Sequence, residues 1–230
     1  MNYLATILVV VIAIILYYLY YYITNNELTS GLQNLAYVKE ISYSKLKNPN
    51  SYTYSYQCWI YMSSPTGLEK QIYQRKTGDK DDSSIFEVDI SGQKLILKAG
   101  SGGQTNPAKK IMTITSEFPI QKWTYLVINV YNLQTFEAYI NGKLAKTVNV
   151  PSGDSPKPAS NRNSLYIGGN SLDGYITKFT RTEKTLDAKT VWENYLAGNG
   201  LSNLFSTLIP YGLNLSISKG EEIQRSVALL

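Results

Sequence analysis

Hydrophobic positions are unevenly distributed along the chain, and the first group of them forms one continuous run. Residues 3–23 contain no charged side chain, and the first charge is Glu27. A helix of about 21 residues rises about 31 Å, close to the roughly 30 Å hydrocarbon core of a bilayer. The run therefore predicts a single membrane anchor over residues 1–24. A cleaved secretory signal and a buried core helix are the alternatives, although Met1-Asn2 lacks the basic flank of a signal peptide.

Tyrosines crowd the second half of this run. A tyrosine has an apolar ring and a polar hydroxyl, so it favours the headgroup layer of a membrane. The tyrosine-rich end is therefore expected at a membrane surface, and a lipid bilayer is the expected partner of the segment. The residues predicted to form the anchor are Tyr3, Leu8, Val11, Ile14, Leu16, Tyr17, Tyr18, Tyr20, Tyr21 and Tyr22.

From residue 51 the pattern changes to an alternation of apolar and polar positions. Tyr56, Cys58 and Ile60 alternate with polar or half-polar side chains, which predicts a strand with one buried face. Asn141-Gly142 is the strongest turn signal, because both residues accept the positive φ angles of a two-residue hairpin. Further strands are predicted over residues 85–90, 94–98, 111–115, 124–131, 135–140, 143–150, 165–167 and 174–179, with a short helix over 188–195.

Many short strands separated by turn residues, with little helix, are typical of an antiparallel sandwich. The predicted fold is all-β, an antiparallel jelly-roll sandwich of the concanavalin A-like kind, preceded by a single transmembrane helix. The predicted parts are the anchor over 1–24, a connector over 25–50, the sandwich over 51–198 and an extension over 199–230. Apolar residues outnumber charges in the extension, so it is expected to dock on the sandwich or on a partner.

Composition narrows the chemistry that the chain can perform. There is no histidine, which excludes Ser-His and Cys-His nucleophiles and histidine-ligated zinc. Cys58 is the only cysteine, so no intrachain disulfide can form. The formal net charge is +5, but Lys and Arg are scattered rather than clustered, so nucleic-acid binding is not expected.

Four groups of residues follow one another in an order typical of a known fold family. They are the strand 54–61, the segment 123–128 with the hairpin turn after it, the glycine-containing segment 165–176, and the stretch 182–195. In this order they resemble the laminin-G-like branch of the concanavalin A-like jelly rolls. The resemblance implies two packed, curved antiparallel sheets, on a fold that hosts lectins, hydrolases and scaffolds alike. The landmark residues are Trp59, Trp123, Asn141, Gly142, Gly168, Gly169 and Gly174.

The landmark residues have structural explanations. Trp59 and Trp123 are expected to pack against the sheets rather than to bind a ligand. Gly168, Gly169 and Gly174 are expected to serve tight turns or bulges. A sugar site would place aromatic rings beside polar loops, but no particular tyrosine stands out among the 20 in the chain.

Two acidic groups are candidate sites. Glu87-Val88-Asp89 resembles the start of the catalytic strand of jelly-roll glucan hydrolases, but Ser91 and Gly92 stand where the second essential Glu would be. The apolar neighbours are expected to fill one face of this strand, while Glu87 and Asp89 stay in solvent. No catalytic residue and no enzyme activity are therefore predicted, and no cofactor is expected. The weak candidates for a calcium site are Asp79, Asp81 and Asp82.

These features predict a non-catalytic, membrane-anchored structural protein. A Tyr-, Asn- and Lys-rich chain without disulfides, with an N-terminal anchor and a jelly-roll head, resembles the minor capsid or virion membrane proteins of large eukaryotic DNA viruses. The resemblance implies a single-pass protein that tethers the virion inner membrane to the protein shell, beside neighbouring capsid or membrane proteins. The alternatives are a membrane-anchored, lectin-like glycan-binding protein and, more remotely, a glycoside hydrolase.

Overall fold

The computed structural model describes residues 3–24, 27–29, 31–76, 84–100, 109–150, 163–199, 213–219 and 222–229. Two helices and fourteen strands form within these residues. The helices are α1 (Tyr3–Thr24) and α2 (Ala188–Leu196), and a 3-10 turn covers Tyr43–Lys45. The strands are β1 (Gln33–Asn34), β2 (Lys39–Ile41), β3 (Tyr54–Met62), β4 (Thr66–Lys76), β5 (Ser84–Gly92), β6 (Lys94–Gly100), β7 (Lys109–Thr115), β8 (Thr124–Tyr131), β9 (Thr135–Ile140), β10 (Lys143–Asn149), β11 (Leu165–Ile167), β12 (Gly174–Thr182), β13 (Leu213–Lys219) and β14 (Glu222–Leu229).

Twelve of these strands build two six-stranded sheets. Sheet A has the order β1-β12-β3-β8-β9-β10, and sheet B has the order β2-β11-β4-β5-β6-β7. The described strand pairings in both sheets are antiparallel. β13 and β14 pair with each other in a separate two-stranded sheet. The all-β antiparallel sandwich predicted from the sequence is therefore confirmed.

Alternation along the strands decides which side chains enter the space between the sheets. On β3, Tyr56 and Cys58 are buried in the common core, while Gln57 between them lies on the outer face of sheet A. Tyr56 and Phe179 of sheet A meet Tyr73 and Phe86 of sheet B, with ring centroids 4.9 to 5.8 Å apart across the interface. Tilted and edge-to-face rings at such distances are favourable arrangements, so aromatic packing holds the two sheets together.

The sandwich begins earlier in the chain than the predicted boundary at residue 51. β1 joins the edge of sheet A, β2 joins the edge of sheet B, and Leu35 and Ile41 enter the core. Strands this short carry too few residues for an alternation to be visible in the sequence. β4 also escapes the sequence prediction, because a register shift between Gln71 and Tyr73 places the neighbours Ile72 and Tyr73 together in the core.

Two buried arginines fasten the segment that leads from β2 to β3. The Nη1 group of Arg75 donates to the carbonyl of Pro49 at 2.6 Å, and that of Arg181 donates to the carbonyl of Lys47 at 2.5 Å. The Arg181 guanidinium also lies over the ring of Tyr54, 4.9 Å from its centroid. Residues 47–49, which the sequence assigns to a connector, are therefore an integral part of the sandwich.

The elements near the two ends of the chain, α1, β13 and β14, are not strands of either six-stranded sheet. α1 forms where the apolar run predicts a helix, and its described side chains, from Ile7 to Leu19, are exposed. Among the residues whose side chains are described, no helix is both long and apolar enough to cross a membrane. The side chains of Tyr3 and Tyr20–Tyr22 fall outside that range, as do those of β13 and β14. The anchor and the docking of the extension stay predictions.

Candidate functional site

The outer face of sheet A carries a pocket beside the carboxyl end of α2. Its volume is about 260 Å³. β3, β8 and β12 supply its floor, and α2 with the residues after it supplies one wall. We call it the sheet A pocket, and its lining residues are Glu27, Gln57, Trp59, Tyr125, Lys178, Thr180, Thr182, Asn194, Ala197 and Gly198.

Aromatic rings form a rigid wall of the pocket. Trp59 and Tyr125 lie opposite each other on β3 and β8, with ring centroids 5.2 Å apart. Tyr195 of α2 stacks on Trp59 at 5.8 Å. Trp59 and Tyr125 are only 6% and 3% exposed, so their rotamers are fixed by packing. The same contacts pin α2 to sheet A.

Polar groups converge next to this wall. Gln57 Oε1 accepts hydrogen bonds from the hydroxyl of Tyr125 and, at 3.1 Å, from Nδ2 of Asn194. Burial raises the pKa of the Tyr125 hydroxyl, which therefore stays protonated and acts as a donor. Because both of these hydrogen bonds use Oε1, the Nε2 group of Gln57 is left as a donor to the pocket, and Asn194 Oδ1 is left as an acceptor.

A β-bulge in β12 places two further groups at the pocket. The register of β12 against β3 shifts between Thr177 and Thr180, and Lys178 has a φ of +49°. Bulges commonly re-aim side chains at functional sites. Lys178 Nζ donates to the carbonyl of Gly198 at 3.0 Å, which ties the bulge to the end of α2. The residue Thr180 is 9% exposed, and its buried Oγ1 has no hydrogen-bond partner.

An unpaired buried hydroxyl is uncommon, because its desolvation costs about 1–3 kcal/mol if no partner replaces water. The core hydroxyls of Tyr56 and Tyr73 are also buried without a partner, but of these three residues only Thr180 lines the sheet A pocket.

The segment that follows α1 forms the outer rim of the pocket. Glu27 bridges to Thr180 of β12, and Leu28 N donates to the carbonyl of Phe179 at 2.7 Å. Thr29 is fully buried, and its Oγ1 accepts from Phe179 N at 3.3 Å. Residues 27–29 are therefore fixed along β12, with Glu27 at the pocket.

The sequence landmarks occupy defined positions around this face. Trp59 lies in the wall of the sheet A pocket, and Trp123 packs half-buried against the same aromatic cluster. Asn141 and Gly142 form the turn from β9 to β10 with φ angles of +50° and +78°. Gly142 lies beneath α2, where an added Cβ would be 2.6 Å from Cε3 of Trp192. Gly168 and Gly169 lie in the link from β11 to β12, and Gly174 is the first residue of β12.

Sequence reasoning missed the polar residues of the pocket. Gln57 is inconspicuous within an alternating strand, and Asn194 lies on a short helix that shows no motif. One signal was available for the bulge, since Ile176 and Phe179 are buried core residues three positions apart rather than two. That spacing marks a break in alternation next to Lys178, but it does not reveal which side chains gather there.

A second polar cluster lies on the outer face of sheet B, around Lys98. Its Nζ lies 2.5 Å from Asp89 Oδ2 and 3.9 Å from Glu87 Oε1, and it forms a short contact with Glu69. Three neighbouring strands, β4, β5 and β6, supply these four residues. Lys98 thus binds both Glu87 and Asp89, the carboxylates of the glucanase-like fragment in the sequence. This arrangement is typical of an ion-pair cluster rather than of two independent catalytic acids.

The expectation that Glu87 and Asp89 stay in solvent is wrong for Asp89, which is 1% exposed. Asp89 sits on an interior strand with Gln71 and Ile96 directly opposite it on the flanking strands. Burial raises its pKa from 3.8 to about 7, although the hydrogen bond with Lys98 opposes this and the charge of Glu87 adds to it. Burial lowers the pKa of Lys98, but bonds to Asp89 and Glu69 outweigh it and raise the pKa overall.

The calcium candidates Asp79, Asp81 and Asp82 lie outside the described residues. Within the described part of the chain, no group of three or more acidic, cysteine or histidine residues is arranged to hold a metal ion.

Two facing antiparallel sheets with a polar and aromatic pocket on one outer face define a β-sandwich with a candidate ligand site. Residues 36–193 match a laminin G profile described as the concanavalin A-like lectin/glucanases superfamily. The chain belongs to this family, so the resemblance noted in the sequence is confirmed. The match begins before residue 51 and includes the early strand β2, whereas β1 lies just before it. No curated protein matches the chain.

Solved structures with a similar fold include binding domains of botulinum neurotoxins. The serotype G binding domain is 18% identical with a TM-score of 0.54, covering 72% of this chain and 42% of that chain. The serotype D ligand-binding domain in complex with N-acetylneuraminic acid is 16% identical with a TM-score of 0.58. This alignment covers 74% of this chain and 43% of that chain. The serotype DC binding domain in complex with rat synaptotagmin II is 17% identical with a TM-score of 0.54. This alignment covers 70% of this chain and 39% of that chain. The alignments thus cover less than half of each of these chains, and identities this low establish the fold alone.

Proposed function

We propose that this chain is a non-catalytic, membrane-anchored carbohydrate-binding protein, and that the sheet A pocket is its binding site. The observation that carries the proposal is the buried, unpaired hydroxyl of Thr180 in a pocket that also presents the amides of Gln57 and Asn194. The pocket supplies donors and acceptors but no catalytic pair. A sandwich of this family with such a pocket is suited to holding a polar ligand.

Carbohydrate is the ligand class that suits this lining best. A sugar presents many hydroxyls, for which the amides of Gln57 and Asn194 are suitable partners, while the packed rings of Trp59 and Tyr125 keep the pocket wall rigid. The lining carries one cation, Lys178, and one anion, Glu27, so its formal charge is balanced and a neutral glycan fits. The family name includes lectins, and a solved domain of similar fold is described in complex with N-acetylneuraminic acid.

Thr180→Val tests the proposal. Valine keeps the shape of threonine and removes only the hydroxyl, so the glycan should bind about 3–10-fold more weakly, as expected for one lost hydrogen bond. The variant should be as stable as the parent or slightly more stable, because a buried unpaired hydroxyl has been removed. Binding is measured on a glycan array and then by calorimetry with the full chain in detergent. Thr147→Val, at an exposed position of β10, is the matched control.

The result distinguishes a ligand site from a structural residue. Weaker binding with unchanged stability supports the pocket as the binding site. Unchanged binding in the variant, or no binding of the parent across a broad array, overturns the proposal.

A second proposed function is a structural tether that joins the inner membrane of a virion to its capsid as a minor capsid protein. The uncharged α1 with its exposed described side chains supports a role in holding the sandwich at a lipid surface. The sandwich and the extension would then contact neighbouring capsid or membrane proteins. Fractionation tests this role, because the chain should pellet with virions and resist extraction until the inner membrane is dissolved. Release by salt alone would contradict it.

A further inference from the structure

We propose that the sheet A pocket binds a carbohydrate headgroup presented by the same membrane that holds α1, rather than a distant glycan. This inference rests on the proposed function and names the source of its ligand.

The last residue of α1 and the rim of the pocket are three residues apart. α1 ends at Thr24, and Glu27 lines the pocket. Three residues reach at most about 10 Å even when fully extended. If the tyrosine-rich end of α1 lies in the headgroup layer, the rim of the pocket therefore lies within about 10 Å of that layer.

The sandwich cannot swing away from this position on a loose tether. Glu27, Leu28 and Thr29 are all fastened to β12, through a bridge to Thr180 and two hydrogen bonds to Phe179. The buried Thr29 makes this attachment part of the folded domain rather than a surface contact. Residues 27–29 thus belong to the folded sandwich, and they follow the last residue of α1, Thr24, closely in the chain.

A ligand on the same membrane gains from this geometry. The anchor keeps the pocket close to the headgroup layer, where the local concentration of glycolipid headgroups is high, and the length of the connection sets how closely the pocket is held there. Neutral sugar chemistry is shared by a glycolipid headgroup and a free oligosaccharide, and the lining favours neither by charge. The short connection favours the glycolipid, since only a membrane-bound headgroup is held at the height of the pocket.

The experiment compares the full chain with a variant that carries a flexible Gly-Ser insertion of about thirty residues between Thr24 and Glu27. Both are reconstituted in phosphatidylcholine vesicles that contain increasing mole fractions of lactosylceramide, and binding is followed by tryptophan fluorescence, to which Trp59 contributes. Free lactose is titrated into vesicles without glycolipid. A chain with the same Gly-Ser segment added after Leu230 is the control for the insertion itself.

Lengthening the connection from three to about thirty residues should increase the height that the pocket explores above the membrane roughly threefold, because the reach of a flexible segment grows as about the square root of its length. Glycolipids fill the membrane plane, so only this height dilutes them, and we expect the insertion variant to need about threefold more lactosylceramide for half-saturation, with its affinity for free lactose unchanged. Equal half-saturation of both chains overturns this inference and leaves the proposed function standing. Failure of both chains to bind either probe overturns the proposed function as well.

Discussion

The ion-pair cluster on sheet B makes the stability of the domain depend on pH through Asp89. Its folded-state pKa is raised from 3.8 to about 7 because the carboxyl is buried. Between these values the folded state binds a proton that the unfolded state does not. The stabilising contribution is therefore fully present below about pH 4 and is lost as pH rises through 7.

The size of the effect follows from the shift. About three units, at about 1.4 kcal/mol each, correspond to about 4 kcal/mol as an upper value. Asp89→Asn keeps the shape and stays neutral, so it imitates the protonated carboxyl at every pH. We expect the variant and the parent to be about equally stable near pH 4. Above pH 8 the variant should be more stable by up to about 4 kcal/mol.

Urea unfolding of the full chain in a non-ionic detergent, followed by tryptophan fluorescence from pH 4 to pH 9, measures this difference. Glu117→Gln corrects for the general effect of removing one negative charge, since Glu117 is exposed. If the parent instead gains stability over Asp89→Asn as pH rises, attraction to Lys98 outweighs burial and the reasoning is refuted. A difference that does not change with pH would refute it equally.

Three further predictions concern packing. Gly142→Ala should lower the free energy of unfolding by about 1–3 kcal/mol, because alanine must adopt a φ of +78° and its Cβ would lie 2.6 Å from Trp192. Gly31→Ala, at a φ of +72° with open space around it, should lower the free energy of unfolding by less, as measured by urea unfolding. An equal loss in both variants would show that the contact with α2 is unimportant. Arg181→Met should destabilise the chain by about 2 kcal/mol, because the carbonyls of Lys47 and Asn48 lose the hydrogen bonds that Arg181 donates. Lys189→Met, on the exposed face of α2, is the control. Equal melting temperatures of the two variants would contradict the role of Arg181. Cys58 is buried, and burial raises the pKa of its thiol. The folded chain should therefore not react with a thiol reagent at pH 8 until urea unfolds it. Rapid labelling of the native protein would contradict this.

Alternation and turn chemistry were enough to predict the sandwich. Strand β3 is visible because its buried residues recur every second position, and the Asn141-Gly142 turn is visible because its backbone angles suit those two residues. The early strands β1 and β2 were missed because two or three residues show no period. β4 was missed because its register shift breaks the alternation at Ile72 and Tyr73.

The sequence alone determined what repeats locally: the apolar helix, the alternating strands, the hairpin turn and the absence of histidine chemistry. Only the tertiary structure decided which side chains meet. Gln57, Lys178, Thr180 and Asn194 come from three separate elements, and they share one pocket because β12 pairs with β3 and α2 packs on β3 and β8. Likewise, Asp89 is buried because β5 lies between β4 and β6. Period and propensity act over a few residues, whereas a site depends on strand order and on contacts between residues far apart in the chain.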